Sequence, residues 1–142
     1  MNNIIQVTPE VVTDDILNDL ASMMYSLKHE TDEHATDDRQ LYRKYIIHKV
    51  ATSSIYYIEQ SGFVMIDSIF DPLLKLCNSN YWLMTHIYIV PNMRKTRVYA
   101  ALINKSLQEH SGLIIGITYT GSEHNRILKK RYKVLGTIYG TA

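Results

Sequence analysis

The residues most able to do chemistry fall into four groups. His86 is the only residue titrating near neutrality in the long apolar stretch Tyr81–Val90. Arg94, Lys95 and Arg97 follow directly on Pro91, where such a stretch must end, and so stand at the start of the next helix. Unpaired N–H donors and the positive end of a helix dipole attract anions there, phosphates above all. Glu30, Asp32, Glu33, Asp37 and Asp38 make an acidic segment suited to a cationic amine, with His29 and His34 beside it. The spacing of those histidines fits no strong metal signature. Lys129, Lys130, Arg131 and Lys133 form a basic cluster whose three- and four-residue spacing equally describes a solvated helix face.

The charges are segregated along the chain. Residues 1–38 hold nine Asp/Glu and one basic residue, Lys28, whereas residues 94–133 hold nine Lys/Arg against Glu109 and Glu123. The formal net charge is only +1, which does not mark a nucleic-acid binder. At 142 residues, 46% hydrophobic and 20% charged, the chain is a single globular domain spanning 1–142. It has no apolar run long enough to cross a membrane. Its one cysteine, Cys77, forms no internal disulfide, which suits a reducing, cytoplasmic compartment.

The elements that must position these groups follow from periodicity. Ile4–Val7 reads as a first strand. Thr8-Pro9-Glu10 carries helix-start chemistry, which Thr13-Asp14-Asp15 restarts or reinforces. Ile16, Leu20, Met23 and Leu27 lie at helical spacing, and His29–Asp38 reads as a loop. A second helix is predicted over about Arg39–Val50, with Leu41, Tyr45 and Ile46 inward. Ser53–Glu59 and Phe63–Phe70 form a hairpin around Ser61-Gly62. Asp71-Pro72 and Cys77–Asn80 separate it from Tyr81–Val90, a strand apolar enough to be central. A helix over Lys95–Glu109 should bury Val98, Leu102 and Leu107. A strand Leu113–Thr118, a last helix from Gly121 to Leu135 and a stub at Thr137–Tyr139 complete the chain. The order is β-α-α-β-β-β-α-β-α-β, an α/β (α+β) fold with a mixed, mostly antiparallel central sheet and about four helices.

That order resembles the GNAT superfamily of N-acetyltransferases, and two segments carry the resemblance. In Ile89-Val90-Pro91-Asn92-Met93-Arg94-Lys95-Thr96-Arg97-Val98-Tyr99, a strand ends in a Val-x-Pro-like step. In the family, an Arg/Gln-x-x-Gly-x-Gly/Ala turn then cradles the pyrophosphate of acetyl-CoA. The second segment runs from Asn125 to Gly136, with Tyr132 seven residues after Asn125 and a Leu135-Gly136 step. The resemblance implies that Ile89, Val90, Arg94, Lys95, Thr96, Arg97, Val98, Tyr99 and Asn125 bind acetyl-CoA as co-substrate. It implies that the main chain of Tyr81–Val90 pairs with pantetheine and that Tyr132 protonates the departing thiolate. Glu30, Asp32 and Glu33 fall where the family forms part of its acceptor site.

The chain departs from the family pattern at three points. Arg97 and Tyr99 replace glycine or a small residue, so Tyr99 is expected to bring bulk to a tight place. The central strand has no carboxylate, which leaves His86 as the candidate base. Only six residues follow Gly136, so the final sheet edge is expected to be completed by a second copy or another protein. The resemblance implies acetyl transfer from acetyl-CoA to an amine, on a small molecule or a protein. The departures favour a GNAT-fold protein without catalysis that acts through a protein partner or in an assembly. Binding of nucleic acid by the basic half is a weaker third reading, because no aromatic stacking platform stands beside the cluster.

Overall fold

The computed structural model describes residues 3–68 and 81–110 together with the strand Leu113–Gly116. The sequence-predicted last helix and final strand stub lie outside these residues, as do Asn125, Tyr132 and the basic cluster.

The first strand, β1, is Ile5–Gln6. The residues after it form a turn and not a helix: the N–H groups of Val11 and Val12 both donate to Thr8 O, at 3.1 and 2.9 Å. Proline at that position serves a turn as well as a helix start. Helix α1 begins later and covers Asp14–Thr31. Thr13 caps it, its Oγ1 accepting the Ile16 N–H at 3.2 Å, and Asp14 and Asp15 complement the dipole of the first turn. His29 and Glu30 therefore stand on the last turn of α1, not in a loop.

Helix α2 covers Arg39–Thr52 and is capped by Asp38, whose Oδ1 accepts the Gln40 N–H at 3.0 Å. It buries Tyr42, Ile46 and Val50, a strict i, i+4 ridge. Leu41, expected inward, is 50% exposed.

Strands β2 (Ser54–Ile58) and β3 (Gly62–Ser68) form the predicted hairpin. Its turn is Glu59–Ser61 rather than Ser61-Gly62, because Gly62 already pairs with Ile58. Gln60 at the tip has φ 54°, the left-handed conformation such a three-residue loop requires. Its N–H donates to Asp19 Oδ2 of α1 at 2.8 Å, and the Tyr57 hydroxyl donates to the same oxygen.

Strand β4 covers Tyr81–Ile89. A 3₁₀ turn at Pro91–Met93 leads to helix α3, Val98–Glu109, and the chain returns in β5, Leu113–Gly116. The sheet runs in the order β1-β2-β3-β4-β5. Its pairs are antiparallel except β4 with β5, which the α3 crossover makes parallel. Helices α1 and α2 cover one face, burying Leu20, Met24 and Ile46 against Ile55, Tyr57, Phe63 and Met65. Helix α3 covers the other, with Val98, Leu102 and Ile103 against Tyr56, Val64 and Ile66. Leu107, expected inward on α3, is 40% exposed; Ile103 and Ser106 take the buried side. Among the described residues no helix is long and apolar enough to cross a membrane.

One irregularity shapes β4. Met65 pairs with His86 but Ile66 pairs with Met84, so Thr85 has no partner on β3. This is a β-bulge, and it reverses the alternation of side chains beyond it. Trp82 and Met84 pack on the α3 face, whereas Tyr88 packs on the α1/α2 face and His86 lies edge-on to Tyr45 of α2.

Candidate functional site

The ladder between β4 and β5 runs only from the Tyr81–Leu113 pair to the Met84–Gly116 pair. It stops one residue before the bulge. Beyond it, Thr85–Ile89 has no strand partner on that side among the described residues. Peptide groups of an antiparallel strand face its two neighbours alternately. The Val90 N–H donates to Ser61 O on the β3 side at 2.9 Å. Ile89, and Ile87 two residues before it, therefore turn their peptide groups toward the open side. This edge suits an extended ligand that carries amides.

The edge leads directly into the cationic segment. Arg94, Lys95, Thr96 and Arg97 are all exposed, immediately before the first turn of α3. Thr96 shapes the entry: its hydroxyl donates to Met93 O at 2.6 Å and accepts the Val98 N–H at 3.3 Å. Arg97 has φ −77° and ψ −3°, an ordinary right-handed conformation, so this backbone does not depend on glycine. The side chain of Tyr99 turns inward, 9% exposed, and packs with Leu102 and Ile103. The bulk anticipated at the phosphate position is thus directed into the core, as is the side chain of Val98. Exposed guanidinium and ammonium groups before a helix N-terminus, continuous with an open strand edge, fit a ligand with a diphosphate at one end and amides along its length.

Arg94 is held in place. Its Nε–H donates to Ile89 O at 2.9 Å, and its Nη2 donates to Glu30 Oε1 and Oε2 at 3.0 and 2.8 Å. The Tyr88 hydroxyl donates to Glu30 Oε1 at 3.3 Å, and the guanidinium carbon lies 5.5 Å from the Tyr88 ring centre. Burial, reinforced by the Glu30 charge, pushes the Tyr88 phenol above its usual range and keeps it a donor. A residue predicted for the acceptor and one predicted for the cofactor are thus brought together, with Tyr88 between them.

Asp32 and Asp37 make local structural contacts, whereas Glu33 makes none beyond its neighbour. The Asp32 N–H closes α1 on Lys28 O at 2.8 Å, and its Oδ1 accepts the His34 N–H at 2.9 Å. Glu33 is fully in solvent beside His34. His29 stacks on Tyr25, with ring centres 3.8 Å apart, and its two ring nitrogens meet Asp37 Oδ1 and Tyr25 O, each at 2.8 Å. Both partners are acceptors, so the protonated ring satisfies both. The Asp37 hydrogen bond, then that of Tyr25, raises the pKa of His29. Among the described residues no three His, Cys, Asp or Glu side chains converge as a metal site.

His86 lies two residues from Tyr88, on the same face. Burial lowers its pKa to about 4, with Lys28 and Lys49 adding to the shift and Asp67 opposing it. Its Nδ1 has no hydrogen-bond partner among the described residues. Asp67 is engaged elsewhere, paired with Lys49 Nζ at 2.9 Å and accepting the Ser53 hydroxyl. Burial alone would raise the Asp67 pKa, but these two bonds outweigh it and hold the carboxyl below its usual range. His86 is therefore a neutral imidazole at physiological pH, of low basicity and with Nδ1 buried.

A separate recess of about 500 Å³ lies toward the other end of α1, among Asp15, Asp19, Tyr57 and Glu59.

With this geometry the chain matches solved structures over nearly its whole length. A probable acetyltransferase has a TM-score of 0.75 at 18% identity, covering 99% of this chain and 97% of its own. The fold is that of the GNAT acetyltransferases. A ribosomal-protein-alanine N-acetyltransferase from Brucella melitensis biovar Abortus 2308 gives 0.68 at 14% identity, covering 99% and 97%. AAC(6')-Iy, solved with the bisubstrate analog CoA-S-monomethyl-acetylneamine, gives 0.67 at 12% identity, covering 99% and 96%. The sequence matches no protein-family model and no curated protein. The GNAT-like order expected from the sequence is found from β1 through β5.

Proposed function

We propose that the protein is an N-acetyltransferase that carries an acetyl group from acetyl-CoA to an amine. One observation carries the reading: among the described residues the edge at Ile87–Ile89 has no strand partner, and it leads through the Pro91–Met93 turn to exposed Arg94, Lys95 and Arg97 at the entrance to α3. An edge for amides and a cationic end for a diphosphate are the two recognition elements that CoA requires. The GNAT fold of its structural neighbours supports the same ligand.

Acetyl-CoA supplies a thioester whose carbonyl carbon accepts the amine nitrogen. The chain's part is to align the two reactants, which can supply a large share of the rate enhancement. The Ile87 peptide group and the Ile89 N–H hold the pantetheine arm, while the Ile89 carbonyl anchors Arg94, which fixes the diphosphate. The carboxylate of Glu30 favours a cationic acceptor nearby. Tyr132, outside the described residues, donates a proton to the departing thiolate, and Asn125 contacts the cofactor. The neutral His86 is the candidate on β4 to take the amine proton, through water.

The test is calorimetric titration with acetyl-CoA at low and moderate salt. Saturable micromolar binding is the expected result. No binding at millimolar ligand would overturn the reading and favour a catalytically inactive GNAT-fold protein acting through a protein partner. The low basicity of His86 and the absence of a carboxylate on β4 are what favour that alternative.

A further inference from the structure

Arg94, assigned to the cofactor diphosphate, already has an anion. Both oxygens of Glu30 lie within 3.0 Å of Nη2, while Nε is fixed on Ile89 O. The guanidinium is therefore anchored through one nitrogen and occupied through another. The pair is accessible, Arg94 being 41% and Glu30 43% exposed in their side chains, so an incoming ligand can reach it. Helix α1 has no fully buried residue beyond Met24, so Glu30 can change rotamer without disturbing the core.

We infer that Glu30 is an internal competitor for the cofactor, an occupant of Arg94 that acyl-CoA must displace with its diphosphate, so that it sets the CoA affinity of the site. The inference rests on the acyl-CoA reading above. A diphosphate carries more charge and more acceptor oxygens than one carboxylate and displaces it. A ligand with a single weak anion does not, and one without an anion has no use for Arg94. The displacement therefore costs CoA part of the affinity that Arg94 provides, a cost that a thioester lacking the diphosphate does not meet. The Tyr88 hydroxyl, bonded to Glu30 Oε1, keeps the displaced carboxylate beside the site.

Two substitutions separate this competition from a general field effect. Glu30→Gln removes the charge. Glu30→Asp keeps it but draws the carboxylate one methylene back from Arg94. CoA affinity is measured by calorimetry for both variants and for the wild-type chain. The competing exposed pair predicts that Glu30→Gln tightens CoA about two- to fivefold. Glu30→Asp should tighten it as well. If Glu30→Asp binds like wild type while Glu30→Gln tightens, the effect is long-range charge and the inference falls. It falls equally if neither variant tightens binding. If neither the wild type nor Glu30→Gln binds CoA at all, the acyl-CoA reading itself fails, and the inference with it.

Discussion

Met84 and His86 stand two residues apart in one strand yet face opposite sides of the sheet. Met84 packs toward α3, and His86 lies against Tyr45 of α2. The extra residue between them, Thr85, is the cause. Its side chain matters little: Oγ1 reaches Met65 O at only 3.3 Å. Thr85→Ala should therefore cost less than about 1 kcal/mol. Deleting Thr85 removes the extra residue and restores regular alternation, with Met84, Ile87 and Ile89 still on the α3 face and His86 and Tyr88 still on the other, so the fold should survive it. Urea unfolding of the two variants checks both expectations, and loss of folding on deletion of Thr85 would mean that the bulge does more than set the faces.

Gly62 is a second control point for the same strand. A Cβ there would lie 2.6 Å from Tyr88 O and 2.7 Å from Ile89 Cδ1. Gly62→Ala should force β3 away from β4 and destabilise the fold by about 1–3 kcal/mol. Because the pressure falls on Tyr88 and Ile89, CoA affinity should weaken too. Thermal unfolding and calorimetry report the two effects, and unchanged CoA binding would separate the open edge from the ligand.

Two histidines give the stability profile opposite slopes in different pH windows. His29 has its pKa raised above 6.5, so its contribution is complete below 6.5 and is lost as pH rises through the folded-state value. His86 has its pKa lowered to about 4, so the unfolded chain binds more protons between 6.5 and 4 and stability falls as pH drops through that range. Urea unfolding should therefore show a maximum near the ordinary histidine pKa. His86→Phe should remove the acid-side slope attributable to this residue and leave the alkaline side unchanged. A titration of His86 followed by NMR with a midpoint above 6.5 would contradict the buried, neutral ring.

The candidate roles of Arg94 and Tyr132 separate in kinetics. Arg94→Ala removes a charge-assisted phosphate contact and should raise the CoA dissociation constant about tenfold or more. Tyr132→Phe should lower turnover more than binding. Unchanged CoA affinity in the first variant, or unchanged turnover in the second, removes the assigned role.

Local chemistry made much of this fold legible. The stripe of Leu20 and Met23 on α1, the apolar run of β4 and the proline after it all read directly. The failures have physical causes. Thr8-Pro9 suits a turn as well as a helix, and only the better cap at Thr13 decides between them. On α2 the apolar Leu41 drew the inward face toward itself. The i, i+4 ridge of Tyr42, Ile46 and Val50 prevails because Tyr42 buries its ring while its hydroxyl reaches Thr36 O at 2.7 Å. The bulge left no trace in the sequence, because a strand apolar on both faces has no alternation to break. The Glu30–Arg94 pair spans 64 positions, and no local pattern announces a contact at that range.

The grip of Asp19 on the hairpin has a mechanical consequence. This one carboxylate takes the Tyr57 hydroxyl and the Gln60 N–H, so it pins the N-terminal half of α1 to the β2–β3 turn. Glu30 rides eleven positions further along, about 16 Å at 1.5 Å per residue. The helix is then a lever with its pivot at Asp19 and Glu30 near its tip. A tilt of about 5° carries that tip roughly 1.4 Å over such an arm, enough to lengthen a 2.8 Å contact beyond hydrogen-bond range. The Glu30–Arg94 distance is thus a gauge of the angle of α1.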